Sequence, residues 1–265
     1  MQLVQFTFGD LPDDKILDVT YARDYLFRSP QNEYNLAMPK KIILLAIPVV
    51  LAIAGIYLYF NFRRSSIRTA QVYNWLRDPG SHPELMMTAG TRCGDAPFSF
   101  PTNGLIGFIW DDYFNHKRHQ GIDIFAGTDV GITPITAAYP GYLTRLSDWK
   151  SSVIIRVPSD PLQPGRQIWV YYTHMADQNG NSYISSDFPQ GTSEVFVDTG
   201  TLLGYQGNYS GDPNNPVGVH LHVSVVKDDG FGNFTNELEI KNTYDPSPYF
   251  GLALNANTNT IPVCK

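Results

Sequence analysis

Residues 219–226 read Val-His-Leu-His-Val-Ser-Val-Val. Apolar and polar side chains alternate, and a period of two is the signature of a strand whose faces meet different surroundings. The alternation predicts that Val219, Leu221, Val223 and Val225 point to a core. His220, His222 and Ser224 then share the opposite face. Two imidazoles side by side on one strand face are costly if buried without partners. They are well suited to a metal, which neutral imidazole binds readily. One stretch thus predicts both a strand with a buried face and a metal centre upon it.

Outward from this strand, short apolar runs recur: 153–157 (VIIRV), 168–175 (IWVYYTHM) and 202–205 (LLGY). Pro140-Gly141, Pro164-Gly165, Asn179-Gly180 and the segment 211–216 separate them with turn signals. With 22 Gly, 19 Pro, 15 Phe and 16 Tyr in 265 residues, the composition also favours strands and tight turns over a helical bundle. The prediction is a mostly β domain built on an antiparallel sheet.

A second polar cluster lies upstream, at His119-Gln-Gly-Ile-Asp123. In an extended segment His119, Gly121 and Asp123 share a face, Gly121 leaves room between imidazole and carboxylate, and Ile122 and Ile124 pack inward. Two histidines and one aspartate would complete three ligands and leave a fourth zinc position open, which is the pattern of a catalytic site. The third element is Tyr172-Thr-His174. Alternation puts Tyr172 and His174 on one face, opposite Tyr171 and Thr173, and a histidine there suits a general base or a hydrogen-bond donor. The other two histidines, His82 beside Pro83 and His116 in an Asn-His-Lys-Arg run, read as solvated residues.

Charge excludes one class of partner. Residues 1–92 carry 10 basic and 8 acidic side chains, whereas 93–265 carry 9 basic and 17 acidic, a net of −8 for the main body. An acidic surface of that size argues against binding a phosphate backbone, so no nucleic-acid partner is expected.

From Ile42 to Phe62 no charged residue occurs over 21 positions. At the helical rise this spans about 31 Å, enough for a bilayer core of about 30 Å. Lys40 and Lys41 close one end and Arg63 and Arg64 the other, with Tyr57, Tyr59 and Phe60 where an aromatic belt would lie. The segment 40–64 is therefore expected to be a single transmembrane anchor. Basic residues tie on its two sides, Arg23, Arg28, Lys40 and Lys41 against Arg63, Arg64, Arg68 and Arg77, so charge does not orient it. Residues 1–39 read as an N-terminal cytoplasmic tail. The sequence Met38-Pro-Lys-Lys ahead of the apolar run is equally compatible with translation from Met38. Over 65–92 a stalk is expected, in which Ile67, Ala70, Val72, Tyr73 and Leu76 keep a helical rhythm that Pro79-Gly80 ends. The domain proper is assigned to 93–265, and its Asn/Thr-rich tail, 251–263, reads as irregular. Cys93 opens this domain and Cys264 is the penultimate residue; in an exported chain they predict a bridge between the domain's ends.

Taken in order, H-x-x-x-D, Y-x-H-M and G-x-H-L-H resemble the M23 peptidases, the LytM/lysostaphin-type zinc endopeptidases. Pro134-Ile-Thr-Ala-Ala-Tyr-Pro-Gly141 and Leu203-Gly-Tyr-Gln-Gly-Asn208 resemble secondary marks of that family. The resemblance covers about 95–227. It implies a zinc ion held by His119, Asp123 and His222, with His174 and His220 as the catalytic pair that is not ligated. It further implies hydrolysis of peptide bonds in bacterial peptidoglycan by a domain on the outer side of the cell membrane. Val219 stands where the family usually has Pro, and Val223 replaces a common Phe. Residues 209–217 lengthen the loop before the HxH strand, and 228–265 extend past the usual core. No ligand is missing, so the metal expectation holds while the substrate stays open. The alternative function is a non-catalytic module of this type that binds or activates another wall hydrolase.

Overall fold

The computed structural model describes residues 40–114, 117–253 and 264, with side chains described over 47–57 and from 69 onward except at 114. Two compact units divide the chain, Met1–Ile53 and Ala54–Lys265. The described part of the first unit is helical. Helix α1 spans Lys40–Arg77. Among the described residues no helix is long and apolar enough to cross a membrane. Residues 1–39, His116 and the tail beyond 253, Cys264 apart, lie outside the described residues, as do the expectations that fall on them.

The second unit is a mostly antiparallel β structure. Its strands are β1 (Met86–Met87), β2 (Gly104–Ile106), β3 (Tyr113–Phe114), β4 (Lys117–Arg118), β5 (Ile122–Phe125), β6 (Pro134–Thr136), β7 (Gly141–Thr144), β8 (Val153–Val157), β9 (Ile168–Thr173), β10 (Val195–Val197), β11 (Leu202–Tyr205), β12 (Leu221–Lys227) and β13 (Thr243–Tyr244). The main sheet runs β1-β2-β5-β12-β9-β8-β7-β10, with β13 also pairing β12; β6–β11 and β3–β4 form two small sheets. β12 is the hinge of the arrangement, because β5 and β9 both pair with it.

Alternation assigns each face. Leu221, Val223 and Val225 of β12, Val170 and Tyr172 of β9, Val153, Ile155 and Val157 of β8, and Ile122 and Ile124 of β5 enter one core. Ile135 of β6 and Leu203 of β11 close that core from the small sheet, together with Phe98, Phe100, Tyr249 and Phe250. Val219 is only half-buried and precedes the strand, so the inward face begins at Leu221 and not at Val219. The opposite face is not simply open. Ile154, Trp169, Tyr171 and Val226 form a second cluster there, covered by Trp149 and Phe234.

The residues read as a stalk contribute to this unit. Met86–Met87 pairs with β2, and Val72 and Trp75 of α1 are buried against Leu105 and Phe125. Tyr73, which the helical rhythm includes, is exposed, so the buried stripe of α1 is set by Val72, Trp75 and Leu76. Cys93 and Cys264 form a disulfide with Cα atoms 5.1 Å apart, spanning 171 residues. A cross-link over so long a loop is worth about 2–5 kcal/mol, mainly through the unfolded state.

Candidate metal centre

The β5–β12 register pairs Asp123 with His222. Both side chains leave the sheet on the outer face, because Ile122, Ile124, Leu221 and Val223 take the inner one. His119 arrives from the loop between β4 and β5. Its backbone is tied to the preceding loop, with the His119 amide donating to Asp112 O at 2.8 Å and its carbonyl accepting from the Asp111 amide at 2.8 Å. Three atoms converge. His119 Nε2 lies 3.0 Å from Asp123 Oδ1 and 3.0 Å from His222 Nδ1, and His222 Nδ1 lies 2.8 Å from Asp123 Oδ1.

The other nitrogen of His119 faces Ile109 O at 3.0 Å. With Nδ1–H donated there, a neutral His119 turns a lone pair toward its two neighbours. Three lone-pair atoms at this spacing repel unless a proton or a cation lies among them. The proton accounts for one part of the electrostatics. Burial pulls the His119 pKa down, but the charge of Asp123 and its hydrogen bond outweigh burial and raise it. Burial likewise opposes ionisation of Asp123, yet the surrounding imidazoles hold its carboxyl well below the usual range. A cation would suit the donor set itself: two imidazole nitrogens and one carboxylate oxygen, the set of an open catalytic zinc site. A tetrahedral ion with bonds of about 2.0–2.1 Å holds its ligand atoms about 3.3 Å apart, only a few tenths of an ångström wider than the spacing here. The residues fit the metal.

Gly121 makes this geometry possible. A Cβ there would sit 2.4 Å from Val223 O and 2.8 Å from His222 Nε2, so any side chain would push the His222 ring out of place. Gly121→Ala is expected to weaken zinc binding by at least about tenfold, as loss of support to a ligand typically does, and competition with a chelator measures it.

Two further imidazoles border the three atoms. His220 Nε2 is 3.6 Å from Asp123 Oδ1, and the rings of His174 and His220 are 4.5 Å apart. His220 donates Nδ1–H to Gly218 O at 2.6 Å, and His174 donates Nδ1–H to Tyr209 O at 2.6 Å. Both therefore keep Nε2 as the nitrogen available for proton transfer. Burial, with the charges of His220 and His222, pushes the His174 pKa down to about 3, so this ring is neutral at physiological pH.

The structure thus brings together all five residues singled out in the sequence, with one correction of face. Tyr172 and His174 do not share a side of β9. Tyr172 is buried in the inner core, where its hydroxyl accepts the Ala138 amide at 2.9 Å. His174 packs against His220 and His222 on the outer side. The cause is a left-handed backbone at His174, φ 73°, which ends the strand and reverses the alternation. His82, as read, is exposed, 3.3 Å from Glu84 Oε1. Sequence reasoning did not find Ile109, Gly218 and Tyr209, whose contributions are carbonyl oxygens and carry no side-chain signal. It also missed Phe125, which the period of two places on the face of Asp123.

Solved structures similar to this chain include peptidase domains of the M23 type. They include the catalytic domain of the antimicrobial peptidase lysostaphin from Staphylococcus simulans, 15% identical, with 60% of this chain and 94% of that chain covered and a TM-score of 0.35. A putative peptidase M23 from Pseudomonas aeruginosa is 20% identical over 62% of this chain and 54% of that one, with a TM-score of 0.36. A putative glycyl-glycine endopeptidase from Ruminococcus gnavus is 20% identical over 59% of each chain, with a TM-score of 0.35. The chain thus spans little more than half the length of the last two. No protein-family model matches it, and no curated protein does. At scores this low, the chemistry of the site is read from this chain's own residues.

Proposed function

We propose that the chain is a zinc metalloendopeptidase that hydrolyses peptide bonds of bacterial peptidoglycan from the outer side of the cell membrane. One observation carries the reading: His119 Nε2, Asp123 Oδ1 and His222 Nδ1 lie within hydrogen-bond distance of one another, with the rings of His174 and His220 beside them. His119, Asp123 and His222 would hold the ion. When bound, zinc supplies a Lewis acid that polarises the scissile carbonyl and lowers the pKa of water to about 7. The chain's own residues do the rest. His174 and His220, each with Nδ1–H committed to a carbonyl, offer Nε2 to take the proton of the attacking water. The imidazolium so formed returns the proton to the leaving amine or donates to the developing oxyanion. Asp123, held ionised, balances the positive charge that accumulates at the site.

The wall substrate rests on the motif resemblance, the membrane anchor on the charge-free run, and the outer side on the wall substrate and the disulfide. Over the described part of that run, Ile47, Val49, Val50, Leu51, Ile53, Ile56 and Tyr57 are all exposed and surround the helix on every side. A helix apolar all round belongs in a core or a membrane. The Cys93–Cys264 bridge favours an oxidising compartment for the domain, where a disulfide persists.

Purified peptidoglycan digested with the full chain is expected to gain new amino termini, and a chelator is expected to abolish them. A zinc-loaded chain that releases none would overturn the hydrolase in favour of a non-catalytic binding module.

A further inference from the structure

Antiparallel pairing of β5 with β12 matches Asp123 with His222 and Ile124 with Leu221. One step further along the same register, Phe125 stands opposite His220. Cross-strand neighbours on one face are in contact distance. Here the two rings stack, with centroids 4.8 Å apart and planes at 22°. Phe125 is buried, in one apolar cluster with Val72 and Trp75 of α1 and with Leu105. Phe108 meets it edge-on at 6.0 Å and meets His119 edge-on at 6.4 Å.

His220 therefore has two constraints. The bond from Nδ1–H to Gly218 O fixes its tautomer but leaves the ring free to swing about that contact. The flat face of Phe125 fixes the plane of the ring, and with it the direction in which Nε2 points. We infer that Phe125 is a positioning residue for His220, and that the end of α1, through Trp75, is part of the positioning shell of the site. The inference rests on the hydrolase reading above for its kinetic consequence and on geometry alone for its structural one. It gives the segment 69–77 a role beyond connecting a domain to what precedes it.

The test compares Phe125→Leu and Phe125→Tyr in the full chain. Leucine keeps an apolar side chain at the site and removes the ring face; tyrosine keeps the face. In Phe125→Leu, zinc content is expected to be that of the parent, and the His220 ring protons are expected to lose the upfield shift that a stacked ring imposes. With the ring free to turn, kcat is expected to fall about 10–100-fold with KM changed less than about threefold, the signature of a misplaced reacting group. Phe125→Tyr is expected to restore both the proton shift and kcat. Trp75→Leu, one contact removed, is expected to alter the His220 shift in the same direction by a smaller amount. An unchanged shift and kcat in Phe125→Leu would overturn the inference, and so would loss of zinc in that variant, which would make Phe125 a support of His119, Asp123 and His222 and not of His220. A parent chain that binds zinc and cleaves nothing defeats the hydrolase reading separately, because the proton shift does not depend on turnover.

Discussion

Alanine at Asp123 or His222 is expected to abolish hydrolysis. Each contributes one of the three converging atoms, and each lies beside the other two at 2.8–3.0 Å. Removing Asp123 also removes the only carboxylate among these donors, leaving imidazoles facing one another with no anion to balance a cation. The expected loss is the whole of the metal's contribution, several kcal/mol of barrier, and so at least about 10³-fold in kcat/KM. Both side chains are buried on the outer face, where the alanine variants leave the inner core of Leu221, Val223, Ile122 and Ile124 untouched. The variants are therefore expected to unfold cooperatively near the parent's temperature. Activity at the parent's level in either one would show that the reaction does not run through these atoms.

The second large effect is at the two imidazoles outside the ligand set. His174→Ala and His220→Ala are expected to lose about 10²–10⁴-fold in kcat, the usual contribution of a placed acid or base. Both keep His119, Asp123 and His222, so neither is expected to lose metal. The two should also be less than additive when combined, since their rings lie 4.5 Å apart and act on the same proton. Loss of metal in His220→Ala, with retention in His222→Ala, would exchange the roles of the two histidines on β12.

The fold and the site are not equally legible in the sequence along the chain. That Asp123 and His222 each point away from an inner face is legible in the sequence, because their neighbours Ile122, Ile124, Leu221 and Val223 are apolar; that their two strands pair with these residues opposite is not, since alternation assigns a face and not a partner. The strands β8, β9 and β11 are legible for a different reason, as short apolar runs between Pro/Gly and Asn-Gly turn signals. His174 was not, since its side is decided by a left-handed φ in a residue other than glycine, which no local pattern announces. Nor could the hydrogen-bond acceptors of His119, His174 and His220 be seen, being backbone oxygens of Ile109, Tyr209 and Gly218. The long loop 209–217 was visible as an insertion, but not that its first residue holds His174. The helical rhythm before Pro79 was legible, while its partners Leu105 and Phe125 are about 30–50 residues away and contact it only through the fold.

The most direct measurement is the zinc content of the purified full-length chain, counted by native mass spectrometry beside His220→Ala and His222→Ala. These positions are two residues apart on one strand, so solubility, folding and handling affect them alike. One zinc in the parent and in His220→Ala, with none in His222→Ala, is the predicted result. No zinc in the parent, or one zinc in all three proteins, would contradict it.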